Sequence, residues 1–140
     1  MSDCDYPPDD FRVLGQSFRQ VMKRMTRHFF AVVHEQTGSY AYTGRLWHAF
    51  SYRFQPALDR AAAENAFAQQ CDSPIYVWHE DFDMLWFCPR DIAVQDCFPS
   101  FDFYFFPASL KWLYVTTHES GHGIGPYFVS HDALDCHVHP

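Results

Sequence analysis

The sequence lacks the features that direct a protein to or across a membrane. Its acidic first residues have neither the basic start nor the apolar stretch of a signal peptide, and no apolar run approaches the roughly 20 residues of a membrane span. No CxxC pair marks a metal or redox motif. We therefore expect a cytoplasmic protein, without a membrane partner, whose five cysteines are reduced thiols: Cys4, Cys71, Cys88, Cys97 and Cys136.

Phosphate-binding and nucleophile motifs are also missing. The chain contains no GxGxxG, GKS, GKT or GxSxG segment. Basic residues are few, since 10 Lys and Arg against 17 Asp and Glu give a formal charge of −7. Phosphate binding needs clustered Lys and Arg, so we expect no direct nucleic-acid partner. An acidic surface serves solubility or meets a basic protein partner.

Aromatic residues, in contrast, are abundant. The 140 residues include 15 Phe, 8 Tyr and 4 Trp, a load that excludes a disordered chain and favours strands. This length suits one domain with one substantial core, and neither a linker nor a repeat divides it. We therefore expect a single domain over 1–140, with a frayed start at 1–8 and a mobile tail at 131–140.

The first half of the chain is predicted to be mainly helical. Residues 29–33 either form a strand or prolong the first helix, and 46–52 fit a helix or a strand. Pro56 is expected to open a second helix over Ala57–Gln70, a stretch rich in strong helix formers. The first helix is predicted from apolar residues spaced three and four apart: Phe11, Leu14, Phe18, Val21, Met22, Met25 and Phe29.

The second half changes to short aromatic runs typical of strands. A helical turn near Asp91–Cys97 is expected between the second and third strands. Brief connections elsewhere favour antiparallel neighbours. The sequence therefore predicts an α+β fold, an N-terminal helical part followed by a mostly antiparallel sheet. The predicted strands are Ile75–Trp78, Met84–Cys88, Phe101–Phe106, Leu110–Thr117 and Pro126–Ser130.

One segment matches an enzyme motif literally. His118-Glu119-Ser120-Gly121-His122 has the HExxH pattern of zinc proteases. On a helix this spacing puts two imidazoles on one face, while the glutamate serves as general base for metal-bound water. A small zinc-dependent hydrolase using His118, His122 and Glu119 is therefore one hypothesis.

The residues around this motif favour a different structure. The segment 115–117 is β-branched and continues a strand pattern. Gly121, Gly123 and Gly125 would together cost a helix about 3 kcal/mol relative to alanine. We therefore predict a strand that leaves the core for a glycine-rich turn, with no metal, no cofactor and no catalytic residue.

His-Glu pairs recur at the ends of apolar runs. Three of the four glutamates directly follow a histidine, in FFAVVHE, PIYVWHE and WLYVTTHE. We interpret each pair as the point where a strand leaves the core for a polar turn. His34, His79 and His118 are accordingly predicted to be hydrogen-bonded residues at strand ends.

Carboxylates alternate with aromatic residues around the predicted strands. Solvated loops explain many such charges, but an interface with a basic partner has the same composition. Aromatic anchors supply buried area there, while the charges speed encounter and set specificity. On charge alone, the partner-binding candidates are Glu80, Asp81, Asp83, Asp96 and Asp102.

The segment 102–119, followed by 125–128, resembles the C-terminal hairpin of small bacterial immunity proteins from polymorphic-toxin and contact-dependent growth inhibition systems. The resemblance implies a cytoplasmic, non-catalytic protein that binds the C-terminal domain of one cognate toxin and occludes its active site or substrate cleft. Such toxins are often nucleases with basic clefts, which an acidic inhibitor complements. An accessory interaction domain without a toxin partner is a further hypothesis. The matching residues are Tyr104, Phe106, Pro107, Ser109, Leu110, Trp112, Thr117, His118 and Glu119.

Overall fold

The computed structural model of the chain describes residues 7–41, 44–93 and 101–130. Apart from Pro7 and Pro8, the segments predicted to be frayed or mobile lie outside these ranges, as does most of the turn expected at 91–97. Five α-helices are described: α1 (Gly15–Phe29), α2 (Ala31–Thr37), α3 (His48–Ser51), α4 (Arg60–Ala68) and α5 (Arg90–Ala93). Six strands accompany them: β1 (Leu58–Asp59), β2 (Ile75–His79), β3 (Met84–Cys88), β4 (Phe103–Phe106), β5 (Trp112–Val115) and β6 (Tyr127–Ser130).

The apolar stripe of the first helix is confirmed from Phe18 to Phe29, but Phe11 and Leu14 precede α1 and Leu14 is exposed, so the predicted start was too early. Met25 and Phe29 of α1 are buried, and other members of the stripe pack against the same core. The helix is interrupted at Phe30 and α2 begins at Ala31. Residues 29–33 therefore continue the helical part, and the strand hypothesis is wrong. Phe30 and Val33 are both buried. They are three residues apart, a spacing that puts two side chains on the same face of a helix.

The second predicted helix begins later than expected. Leu58 and Asp59 form β1, which pairs antiparallel with β6, and α4 starts only at Arg60. The prediction that Pro56 opens a helix was therefore wrong, because pairing with a strand about 70 residues away outweighs the local helix propensity. Within the ambiguous 46–52 segment, α3 shows that the helical interpretation is right.

The six strands form one antiparallel sheet in the order β1-β6-β5-β4-β2-β3. The five predicted strands are all present, some with shorter bounds. The predicted α+β class, helices first and an antiparallel sheet after them, is confirmed.

Helices cover both faces of this sheet. Alternate residues of β4 enter different cores: Tyr104 and Phe106 face the helices α1–α3, whereas Phe103 and Phe105 pack with Phe67 of α4. All four are buried, which explains why a strand of an antiparallel sheet is aromatic throughout rather than alternating with polar residues.

The cysteines only partly follow the expectation of reduced thiols. Cys88 is free and buried, and burial raises its pKa to about 11, which keeps it as an unreactive thiol. Cys71 is disulfide-bonded, and its partner is not among the described residues. A disulfide depends on two Cβ atoms meeting in space, which sequence spacing does not reveal. In the described part of the chain, no helix combines the length and apolarity needed to cross a membrane.

Candidate functional site

The hairpin between β2 and β3 ends in a tightly held turn at residues 80–83. Asp83 has a left-handed φ of 54°, and its Oδ1 accepts a hydrogen bond of 2.9 Å from Nε1 of Trp78. The backbone N–H of Phe82 donates to Nδ1 of His79 at 3.1 Å. Side-chain hydrogen bonds therefore fix the turn at both ends.

Phe82 projects from this turn. Its side chain is 62% exposed, and its ring stacks on that of His79 with centroids 4.8 Å apart and an interplanar angle of 6°. His79 is buried, and burial lowers its pKa, which favours the neutral imidazole that accepts the Phe82 N–H. The ring of Phe101, 37% exposed, lies 5.9 Å from that of His79. Two exposed aromatic rings thus lie on one buried histidine.

An ion-paired network holds the base of the hairpin. Asp102 has no exposed surface, and Nη1 of Arg45 lies 3.0 Å from its Oδ2. The same guanidinium pairs with Asp81. On its other side, Asp102 Oδ1 accepts the backbone N–H of His118 at 2.8 Å, and Nδ1 of His118 lies 3.0 Å away. Asp102 therefore joins three chain segments and has no surface left for a partner.

Glu80 also points inward. Its Oε1 accepts the hydroxyl of Tyr104 at 2.6 Å, and its Oε2 accepts the N–H of Leu46 at 2.8 Å. Burial raises the pKa of Glu80 to about 7, although both hydrogen bonds stabilise the carboxylate and act against the rise. The Tyr104 hydroxyl in turn accepts the N–H of Trp47 at 2.9 Å. Glu80 thus ties the loop before α3 to the sheet.

The structure divides the five predicted partner-binding residues. Asp81 and Asp83 are exposed beside Phe82, although Asp81 also pairs with Arg45 and Asp83 accepts a hydrogen bond from Trp78. Glu80 and Asp102 lie inside the network, and Asp96 falls outside the described residues. We call the exposed set Asp81, Phe82, Asp83 and Phe101 the hairpin tip. The role of Arg45 was missed, because it stands in no sequence pattern that indicates its distant partners Asp81 and Asp102.

The HESGH segment does not form an α-helix. It follows β5 as a turn, and Ser120–His122 make a short 3-10 helix. His118 is bound to Asp102 through Nδ1, and its Nε2 lies 3.3 Å from Oε2 of Glu119. Across the described ranges, no three side chains of His, Cys, Asp or Glu are grouped as a metal site requires.

The interpretation of the His-Glu pairs is right in two places and wrong in one. His79 ends β2 and His118 follows β5, both with hydrogen-bonded rings, as predicted. His34 instead lies inside α2, where its ring stacks on Tyr40 at 4.3 Å. An apolar run that ends at the last turn of a helix looks, in sequence, like one that ends a strand.

These observations define a three-layer α+β domain whose hairpin tip presents aromatic and acidic groups. Residues 13–128 match the family described as "Domain of unknown function (DUF4275)", and the chain belongs to that family. Comparison with curated proteins gave no match, nor did comparison with solved structures. The matched residues include the hairpin tip, the network beneath it and both cores.

Proposed function

We propose that this protein is an immunity protein, which binds the C-terminal domain of a cognate bacterial toxin and neutralises it by occluding its active site or substrate cleft. The observation that carries the proposal is Phe82, an aromatic side chain 62% exposed between two exposed carboxylates. The proposal includes a cytoplasmic location and neither a nucleic-acid nor a membrane partner.

The hairpin tip has the properties of a binding anchor. Aromatic residues dominate the energetic centres of interfaces, and a side chain already held in place loses little entropy on binding. The stack on His79 orients this ring, and the hydrogen bond from the Phe82 N–H holds the backbone that carries it. Solvent-exposed rings on a preorganised turn therefore favour binding over a purely structural role.

The charges around the tip select the kind of partner. Asp81 and Asp83 are exposed, and the whole chain carries a formal charge of −7. Such a field speeds encounter with a basic surface and repels acidic ones. A nuclease toxin, whose substrate cleft must be basic to hold phosphates, fits these requirements.

The resemblance to immunity proteins supports the same proposal from a different part of the chain. The residues that carry it are mostly buried, with Tyr104, Phe106 and Trp112 among the core of β4 and β5. They build the sheet rather than contact a partner. The likeness therefore concerns the scaffold, and the tip supplies the separate argument for binding.

No specific observation favours the alternative zinc hydrolase. The HESGH segment is a turn with a short 3-10 helix, so the helical spacing that brings two imidazoles to one face does not apply. His118 is engaged by Asp102 and faces Glu119. The proposal assigns His118 a positioning role at the base of the hairpin.

The test starts from the neighbouring genes. A gene for a large exported toxin directly upstream is expected, and its C-terminal domain should arrest growth unless this protein is co-expressed. Phe82→Ala should weaken binding of that purified domain roughly thirtyfold in calorimetry and lessen the rescue of growth. The matched control is Leu58→Ala, an exposed apolar residue on β1 at the opposite edge of the sheet. An isolated metabolic operon, or equal binding by both variants, would contradict the proposal.

A further inference from the structure

A cavity of about 280 Å³ lies at the N-terminus of α4, on the sheet face away from α1–α3. Its volume is close to the lower end of the roughly 300–1,000 Å³ range of small-molecule sites, so it suits a small ligand. The groups that line it include Arg60, Glu64, Tyr114, Thr116, Gly121 and Gly125.

Tyr114 supplies a polar group that the fold leaves without a partner. The residue is 8% exposed, and its ring stacks on Phe67 with centroids 4.1 Å apart and an interplanar angle of 1°. Its hydroxyl makes no hydrogen bond to any described residue. Burial, with Glu64 nearby, raises the pKa of Tyr114 to about 12, so at neutral pH the hydroxyl is a donor. Tyr114 lines the cavity, where a bound ligand would accept a hydrogen bond from this hydroxyl.

The start of α4 supplies positive potential at the same place. Asp59, at the N-cap, forms no side-chain cap hydrogen bond, and the first turn contains no acidic residue. The Arg60 N–H donates to the carbonyl of Pro126 at 2.9 Å, but the following amides of a helix have no partner within it. Ala61 lines the cavity, and Arg60 adds a cation whose charge the Asp59 carboxylate, 3.5 Å from the guanidinium, partly offsets. A carboxylate is stabilised at such a helix end.

Glu64 places a negative charge on the same lining. It lies on the second turn of α4 and lines the same cavity as Arg60. A simple anion in the cavity would meet this carboxylate, and a simple cation would meet Arg60 and the helix end. A ligand that carries a positive and a negative charge a few ångströms apart complements both Glu64 and the positive end of α4.

We propose that this cavity binds a small zwitterion of the α-amino-acid class. Its carboxylate lies at the N-terminus of α4, beside Arg60 and the Tyr114 hydroxyl, and its ammonium group faces Glu64. The site is separate from the hairpin tip, so the proposal does not depend on the function proposed above.

Binding is tested on the full chain with the twenty common L-amino acids, acetate and methylammonium. At least one amino acid should raise the melting temperature in a saturable manner, while acetate and methylammonium at equal concentration should not. Tyr114→Phe keeps the stack on Phe67 and should weaken that binding about tenfold, since it removes the hydrogen bond from the hydroxyl to the ligand. Tyr52→Phe, an exposed tyrosine outside the cavity lining, should leave it unchanged.

Glu64→Gln separates a zwitterion site from an anion site. It should weaken amino-acid binding and strengthen acetate binding, whereas Glu35→Gln on α2 should alter neither. Saturable binding of acetate equal to that of every amino acid would overturn the proposal in favour of a simple anion site. Binding of none of the probes, or amino-acid binding unaffected by Tyr114→Phe, would overturn it altogether.

Discussion

Asp102 and His118 are bound to each other twice: Asp102 Oδ1 accepts the backbone N–H of His118 at 2.8 Å, and Nδ1 of the His118 ring lies 2.9 Å from Asp102 Oδ2. The carboxylate is fully buried, and the imidazole is partly exposed. This pair joins the start of β4 to the end of β5, and Arg45 joins the loop before α3 to it. It fixes the base on which the hairpin tip stands.

Neutralising Asp102 should destabilise the fold. Asp102→Asn keeps the size of the side chain but removes the charge that Arg45 and His118 face. We expect the free energy of unfolding to fall by about 2 kcal/mol, the value of a hydrogen bond to a charged group. Urea denaturation followed by tryptophan fluorescence measures it. Asp91→Asn, an exposed carboxylate of α5, is the control and should change stability by less than about 0.5 kcal/mol.

Glu80 should make stability depend on pH. Its folded-state pKa of about 7 lies above the ordinary value of 4.5, so between these values the folded protein binds more protons than the unfolded chain. Stability contributed by this group is therefore largest below about pH 4.5, falls as the pH rises to about 7 and is constant above it.

Glu80→Gln tests this dependence, because the variant cannot titrate at this position. The unfolding free energy of the variant minus that of the native protein should increase from pH 5 to pH 8, as measured by urea denaturation at each pH. A difference that is flat over this interval would show that Glu80 titrates normally.

The two exposed carboxylates of the hairpin tip should act mainly on association. Asp81→Asn with Asp83→Asn keeps an oxygen that accepts from Arg45 and one that accepts from Nε1 of Trp78, but removes two charges. The association rate with the proposed toxin domain should fall about tenfold at low salt, and its salt dependence should become weaker. Stopped-flow fluorescence at several salt concentrations measures both. The control is the double variant Asp91→Asn with Glu35→Gln, which removes two charges elsewhere on the surface. An equal fall in the association rate in both double variants would indicate a general charge effect.

The two histidines of HESGH should behave differently on substitution. His118→Ala removes the ring that faces Asp102 and should lower the unfolding free energy by about 1–2 kcal/mol. His122 is exposed, and His122→Ala should stay within about 0.5 kcal/mol of the native protein. Metal analysis of tag-free protein completes the test: stoichiometric zinc that disappears in His122→Ala would support the hydrolase instead.

Features with a local cause were predictable from the sequence. The spacing of apolar residues predicted α1, and the aromatic runs predicted five strands. Helix and strand periodicities depend only on residues close to one another in the sequence. The glycines and the β-branched lead-in correctly indicated that HESGH leaves a strand for a turn. The composition also indicated that carboxylates and aromatic residues would meet near Asp81.

The tertiary structure decided which of those carboxylates a partner can reach. Glu80 and Asp81 are adjacent in the chain, yet Glu80 points inward because Tyr104, on a strand paired with β2, presents a hydroxyl to it. Asp102 is buried because Arg45 and His118, distant in sequence, meet it there. The pairing of β1 with β6 has the same kind of origin. Each depends on contacts between segments far apart in the chain, and no local pattern encodes them.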